Sequence, residues 1–234
     1  MAALDDTAAA ATARLARRRY RLGLSLFFGS ARWLRWIVLA WVVATPLLSV
    51  LFHDAVETGL WSITATVFQW FVASVAGMWF YQNLPGTVAR GVTRREITTA
   101  YMIFGLLASV ATAAVVTAGA LAEHALLAAF AEPVDTWAGT LAGGARYLLI
   151  TPIYFLSGAL IGASAIRFGG SHWFTIVVVA AASGHYAGVL ALEFRFFGSG
   201  GDLALWLGVC LAVIAVLAAG TAAVLRSLPV RSRT

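Results

Sequence analysis

Charge is scarce in this chain. Only 11% of its 234 residues are Asp, Glu, Lys or Arg, against about 25% in an ordinary soluble domain. Lysine is absent, so all 16 basic residues are arginine. The single cysteine, Cys210, lies inside an apolar run, which excludes a disulfide framework and a cysteine-based metal cluster. No G-x-x-x-x-G-K-[ST] segment occurs, so the chain has no phosphate-cradling loop of its own. A pI near 10.2 invites a nucleic-acid reading. That reading fails because the arginines flank apolar runs and do not line one face of a soluble element.

What is present is hydrophobic length. The hydrophobic share is 61% and the mean hydropathy +0.87. Six segments reach the roughly 20 apolar residues a helix needs to cross about 30 Å of hydrocarbon. They are 33–52, 60–81, 98–121, 146–166, 173–193 and 203–225. Backbone polar groups must be paired internally in lipid, which leaves helices or a closed barrel. Barrel strands alternate with period two over about ten residues, and runs such as 203–225 do not. The expected fold is therefore all-α, a bundle of six transmembrane helices.

The arginines set the expected orientation. With the N-terminus inside, fourteen of the sixteen fall on inner segments and only Arg146 and Arg195 fall outside, as the positive-inside rule requires. Both termini are then cytoplasmic. Trp33, Trp36, Trp79 and Trp173 near inner ends and Trp61 near an outer end fit interfacial belts. Residues 1–13 read as a mobile tail and 226–234 as a second cytoplasmic tail. The first apolar run is too long and starts too late for a cleaved signal. Between tail and first run, 14–32 reads as an amphipathic interfacial helix, its arginines among anionic membrane lipids.

The connection after the second run carries the most information. It opens on Pro85-Gly86, a turn signal, and expectation places a short helical turn at 86–91 within a loop over 82–97. Thr93 followed by Glu96 is a capping-box spacing that opens the third helix near Arg94. On composition alone, Arg90, Arg94 and Arg95 are topology anchors. The run Ala89-Arg90-Gly91-Val92-Thr93-Arg94-Arg95-Glu96, however, resembles the first cytoplasmic loop of bacterial ABC exporter permeases of the six-span type. There a G-[VAT]-[ST]-R-R segment lies in a short coupling helix that docks on the ATP-hydrolysing subunit. The six spans and the basic elbow before them agree with that resemblance. Asn83-Leu84-Pro85-Gly86 departs from the acidic and aromatic stretch often found before the motif.

The resemblance implies a transmembrane subunit of an exporter in the bacterial plasma membrane. Arg90, Gly91, Val92, Thr93, Arg94, Arg95 and Glu96 would form its docking loop. Its partners would be two copies of a soluble ATP-binding cassette subunit, which carry the ATP and Mg, and a second permease, identical or paralogous. The chain itself would be no enzyme and hold no cofactor or metal.

Few polar residues lie inside the runs, and Gln69, Ser157, His185 and Tyr186 are the candidates for lining a pathway. Among these only His185 can carry a proton, which counts against an ion-coupled carrier. Gly158-x-x-x-Gly162 and Gly184-x-x-x-Gly188 are small-residue motifs for close helix packing, expected to mark contacts within the chain. The serine of LSGALIGAS and the histidine of GHYAGVLA faintly resemble the motifs of rhomboid intramembrane proteases. Phe155 replaces the first glycine of that serine motif, and the two residues lie on consecutive spans. A third alternative is a non-transporting membrane anchor that binds a partner through the same loop. The outer connection 122–145 reads as a loop with room for a short surface helix, and Glu123 with His124 is too sparse for a metal site.

Overall fold

The computed structural model describes residues 2–52, 59–130, 135–196 and 202–227, with side chains placed at 17–52, 59–130, 135–192 and 202–227. The regular structure is helical throughout, with no strand among the described residues: α1 (Ala2–Leu51), α2 (Leu60–Ala89), α3 (Arg94–Phe130), α4 (Trp137–Ala145), α5 (Tyr147–Phe168), α6 (His172–Phe196) and α7 (Leu203–Ser227). Among the described residues six stretches are long and apolar enough to cross a membrane, with α4 and α5 sharing one of them. The chain therefore has the architecture of a multi-pass membrane protein. It divides into two compact units, one formed by 1–67 and 90–147, the other by 68–89 and 148–234.

In the first unit α1 and α3 run side by side and parallel. Near one end, a Cβ added at Gly23 would lie 2.8 Å from the Ala100 carbonyl oxygen and 2.9 Å from Ile103. Near the other, the Ser49 hydroxyl donates to the Glu123 carboxylate. Gly23 and Ser49 are 26 residues apart, about 39 Å of helix. The pair is thus longer than the roughly 30 Å hydrocarbon layer is thick.

The stretch 14–32, expected as an interfacial helix, and residues 2–13 both belong to the continuous helix α1. No proline lies between Arg14 and Trp33 to break it, and Gly23 lets it close on α3. The loop expected over 82–97 shrinks to 90–93, because α2 runs through Pro85 to Ala89 and no short helix stands apart. A proline so near a helix end removes one donor, the one directed at the carbonyl four residues back. Nearby carbonyls gain side-chain donors, from Asn83 Nδ2 to Trp79 (3.0 Å) and from Thr87 Oγ1 to Asn83 (2.7 Å). The connection 122–145 is also largely helical. The strong helix formers of ALAEHALLAA carry α3 to Phe130. Residues 228–234, with Asp54, Glu57 and Glu132, lie outside the described residues, as do the side chains of Arg14, Glu193 and Arg195.

Trp61 is a further correction. Trp33, Trp36 and Trp173 are exposed, as a belt residue would be, but Trp61 is only 1% exposed. Its ring stacks on Trp41 at 4.4 Å, and its Nε1 donates to the Val116 carbonyl at 2.9 Å. Gly119 leaves the space it fills, since a Cβ there would overlap the indole.

In the second unit α2 and α5 run parallel and in register. Trp70 meets Tyr154 edge-on at 5.6 Å. One turn on, Gly158 sits against the Ala73 backbone, and after another turn Gly162 sits against Gly77. Ala73-x-x-x-Gly77 and Gly158-x-x-x-Gly162 thus face each other and let two backbones touch. At the far end Arg167 Nη1 donates to Ser227 Oγ at 3.2 Å, linking α5 to α7. Gly184 and Gly188 behave differently. A Cβ at either would meet nothing within 4 Å, so the expectation that they pack within the chain fails. Both glycines are exposed on α6.

Candidate functional site

The α2–α3 turn is built from local rules. Gly91, exposed and with nothing near its α-carbon, adopts φ +75°, the left-handed conformation in which helices end on glycine. Two residues later α3 opens on a reciprocal cap. The Thr93 N–H donates to Glu96 Oε2 at 2.9 Å and the Glu96 N–H donates to Thr93 Oγ1 at 3.3 Å. The Thr93 hydroxyl adds a bond to the same carboxylate oxygen. Glu96 is buried, yet its Oε1 has no hydrogen-bond partner. It precedes the 98–121 apolar run. The Thr93 backbone N–H holds its carboxyl below the usual carboxylate range, against the desolvation that opposes this, with help from the Thr93 hydroxyl and the charges of Arg18 and Arg19. Those two arginines lie on α1 five and four residues before Gly23, which packs on Ala100 and Ile103 of α3.

Around this frame Arg90 and Arg95 are exposed and Arg94 and Val92 half-buried. The hydroxyls of Thr98 and Thr99 bond the Arg94 and Arg95 carbonyls, each at 2.9 Å. All seven residues of the expected docking loop thus fall within one tight, doubly stopped turn and the first helical turn after it. A prediction follows from Gly91. Its replacement by alanine forces a β-carbon into the left-handed region and should cost about 1–2 kcal/mol. Thermal unfolding of the purified chain in lipid nanodiscs will read it, with Gly91→Asn less affected.

The intramembrane candidates divide. Gln69 is fully buried. His185 is half-buried and meets Tyr154 edge-on at 5.1 Å, while its neighbour Tyr186 meets Trp70 at 5.5 Å. Together with the Trp70–Tyr154 pair this is one aromatic cluster on α2, α5 and α6. Ser157, one turn beyond Tyr154, and His185 are not hydrogen-bonded to each other through these atoms: Ser157 Oγ and His185 Nε2 are both buried and without a partner. A serine nucleophile needs its base within hydrogen-bond reach.

Sequence reasoning missed a third cluster. Glu123, buried on α3, accepts from the Trp61 N–H at 2.9 Å as well as from Ser49, while Ser49 Oγ accepts from the Leu60 N–H at 3.3 Å. Two side chains from other helices thereby cap the start of α2, after Gly59 at φ +72°. Next to it the His124 ring nitrogen Nδ1 lies 3.3 Å from Thr140 Oγ1 and its ring meets Trp137 at 4.2 Å, which fastens α4 to α3. An acid within an otherwise apolar helical stretch was the only available signal. Among the described residues no group of three or more His, Cys, Asp or Glu could hold a metal ion. No protein-family model matches the chain, and neither a curated protein nor a solved structure does.

Proposed function

We propose that this chain is the transmembrane subunit of an ATP-driven exporter, with both termini in the cytoplasm of a bacterial cell and the Arg90–Glu96 turn as its dock. The observation that carries the reading is the build of that turn. Four residues, stopped on one side by a left-handed glycine and on the other by a capping box, give a partner a short, ordered handle on the start of α3. A disordered loop would absorb the displacement.

The distribution of exposed apolar residues supports the same reading. On α1, Arg32, Trp33, Arg35 and Trp36 are exposed, and Arg32 is 19 residues from Leu51, or about 28 Å, close to the hydrocarbon thickness. Gly23, nine residues further out, packs on Ala100 and Ile103. On α3 the first exposed large apolar side chain is Leu106, twelve residues into the helix. Arginines 94 and 95 would then stand clear of the bilayer, where a soluble subunit can reach them. On this reading 14–32 is the inner part of a rigid stem.

The partners are two copies of a soluble ATP-binding cassette subunit, which supply ATP hydrolysis, and a second permease. The test is co-purification with such a subunit encoded beside this chain. Arg94→Glu with Arg95→Glu should lower its retention at least about tenfold, the equivalent of roughly 1.4 kcal/mol, without shifting the elution volume of the permease itself. Unchanged retention after the double reversal, or no such subunit to retain, would end the docking reading.

A further inference from the structure

Among the described residues of the second unit, several buried hydrogen-bonding atoms have no partner, Thr151 Oγ1 on α5 being one, and two of them lie beside an aromatic cluster. Ser157 Oγ on α5 and His185 Nε2 on α6 are buried and without partners. Tyr154 ties them together, being one helical turn from Ser157 and in edge contact with the His185 ring. Buried polar atoms are nearly always satisfied, so an orphan of this kind calls for an explanation, and a partner from outside the chain is one. The walls around them are aromatic: Trp70 touches Tyr154 and Tyr186 at 5.6 and 5.5 Å. One side is open, since Tyr186 is 38% exposed and α6 carries Gly184 and Gly188 with nothing within 4 Å of an added Cβ.

From this we infer a lateral binding site at Ser157 and His185 for the neutral, hydrogen-bonding head group of an amphiphile that enters from the bilayer. Neutrality follows from the charge map. Among the residues of this unit with described side chains, Arg167, Asp202 and Arg226 are the charged ones, and all three lie at helix ends; Glu193 and Arg195 follow His185 by eight and ten residues, in the last turn of α6. A charged head group at the level of Tyr154 would be uncompensated in a low-dielectric setting. A hydroxyl suits the two atoms, because it donates and accepts at once, while the aromatic faces take its chain. That this head group belongs to transported cargo rests on the exporter reading; the binding chemistry does not.

The probe is octanol bearing a photoreactive diazirine, applied to the full chain in lipid nanodiscs, with its methyl ether as the analogue lacking the O–H donor. Cleavage after Arg146, Arg167 and Arg195 releases peptides 147–167 and 168–195, and mass spectrometry reads the label on each. The alcohol should label both peptides saturably and about tenfold more than the ether, the scale of one hydrogen bond in an apolar site. Ser157→Ala with His185→Phe should abolish that preference. Equal labelling by alcohol and ether in the unaltered chain overturns the site, and so does a preference that survives in a folded double variant. If the double variant does not fold, the alcohol-to-ether ratio in the unaltered chain decides. Loss of labelling preference leaves ATPase retention untouched, and loss of retention leaves the labelling untouched, so the two readings fail separately.

Discussion

Gly158→Ala will destabilise the second unit by about 3 kcal/mol or more, the upper range for overpacking a close contact. The added methyl falls on the Ala73 carbonyl oxygen and its backbone neighbours. Backbone cannot rotate away as a flexible side chain does, so α2 and α5 must separate. In lipid that separation forfeits dispersion contacts that hydrocarbon tails do not restore as well. Thermal unfolding in nanodiscs measures the loss. Gly184→Ala and Gly188→Ala serve as internal controls: their surroundings are empty, and both should stay within about 0.5 kcal/mol of the unaltered chain. A Gly158→Ala chain as stable as these controls would mean that the two glycine motifs do not differ in packing.

Trp61→Ala should cost about 3–5 kcal/mol in the first unit, the range for emptying a large aromatic site. The ring fills the space over Gly119, stacks on Trp41 and satisfies the Val116 carbonyl. Trp61→Phe keeps much of the volume but loses the N–H donor, so it should fall between the two. Glu123→Leu probes the same corner from the other side. It leaves the Trp61 backbone N–H and the Ser49 hydroxyl without their acceptor, at about 1–3 kcal/mol for an unsatisfied buried donor. A Trp61→Ala chain that unfolds like the unaltered one would show Trp61 at the surface, where belt tryptophans sit.

Much of this architecture was legible in the sequence, and for definable reasons. Each of the six apolar runs falls within one helix or a residue beyond its end, because lipid leaves an apolar backbone few alternatives. The Thr93–Glu96 cap was legible because it is made by residues three apart, whose geometry needs no other part of the fold. Positions beyond that local range were not. Hydrophobic length says how much helix a bilayer requires, not where the helix stops, so α1 and α3 overran their expected ends once each had the other to pack against. Pro85 signals a turn locally, yet it is tolerated where only its own donor is lost.

The class of the protein, the number of its apolar crossings and the cap at Thr93 were determined by the sequence alone, since each depends on neighbours along the chain or on a bulk property of the solvent. Which glycine motif packs, whether Trp61 is a belt or a core residue, what caps α2 and which polar atoms are left without partners were decided only by tertiary structure. These depend on side chains brought together from 62 residues apart, as with Trp61 and Glu123, or farther, as with Ser49 and Glu123. No periodicity in one helix records what its neighbour will place against it.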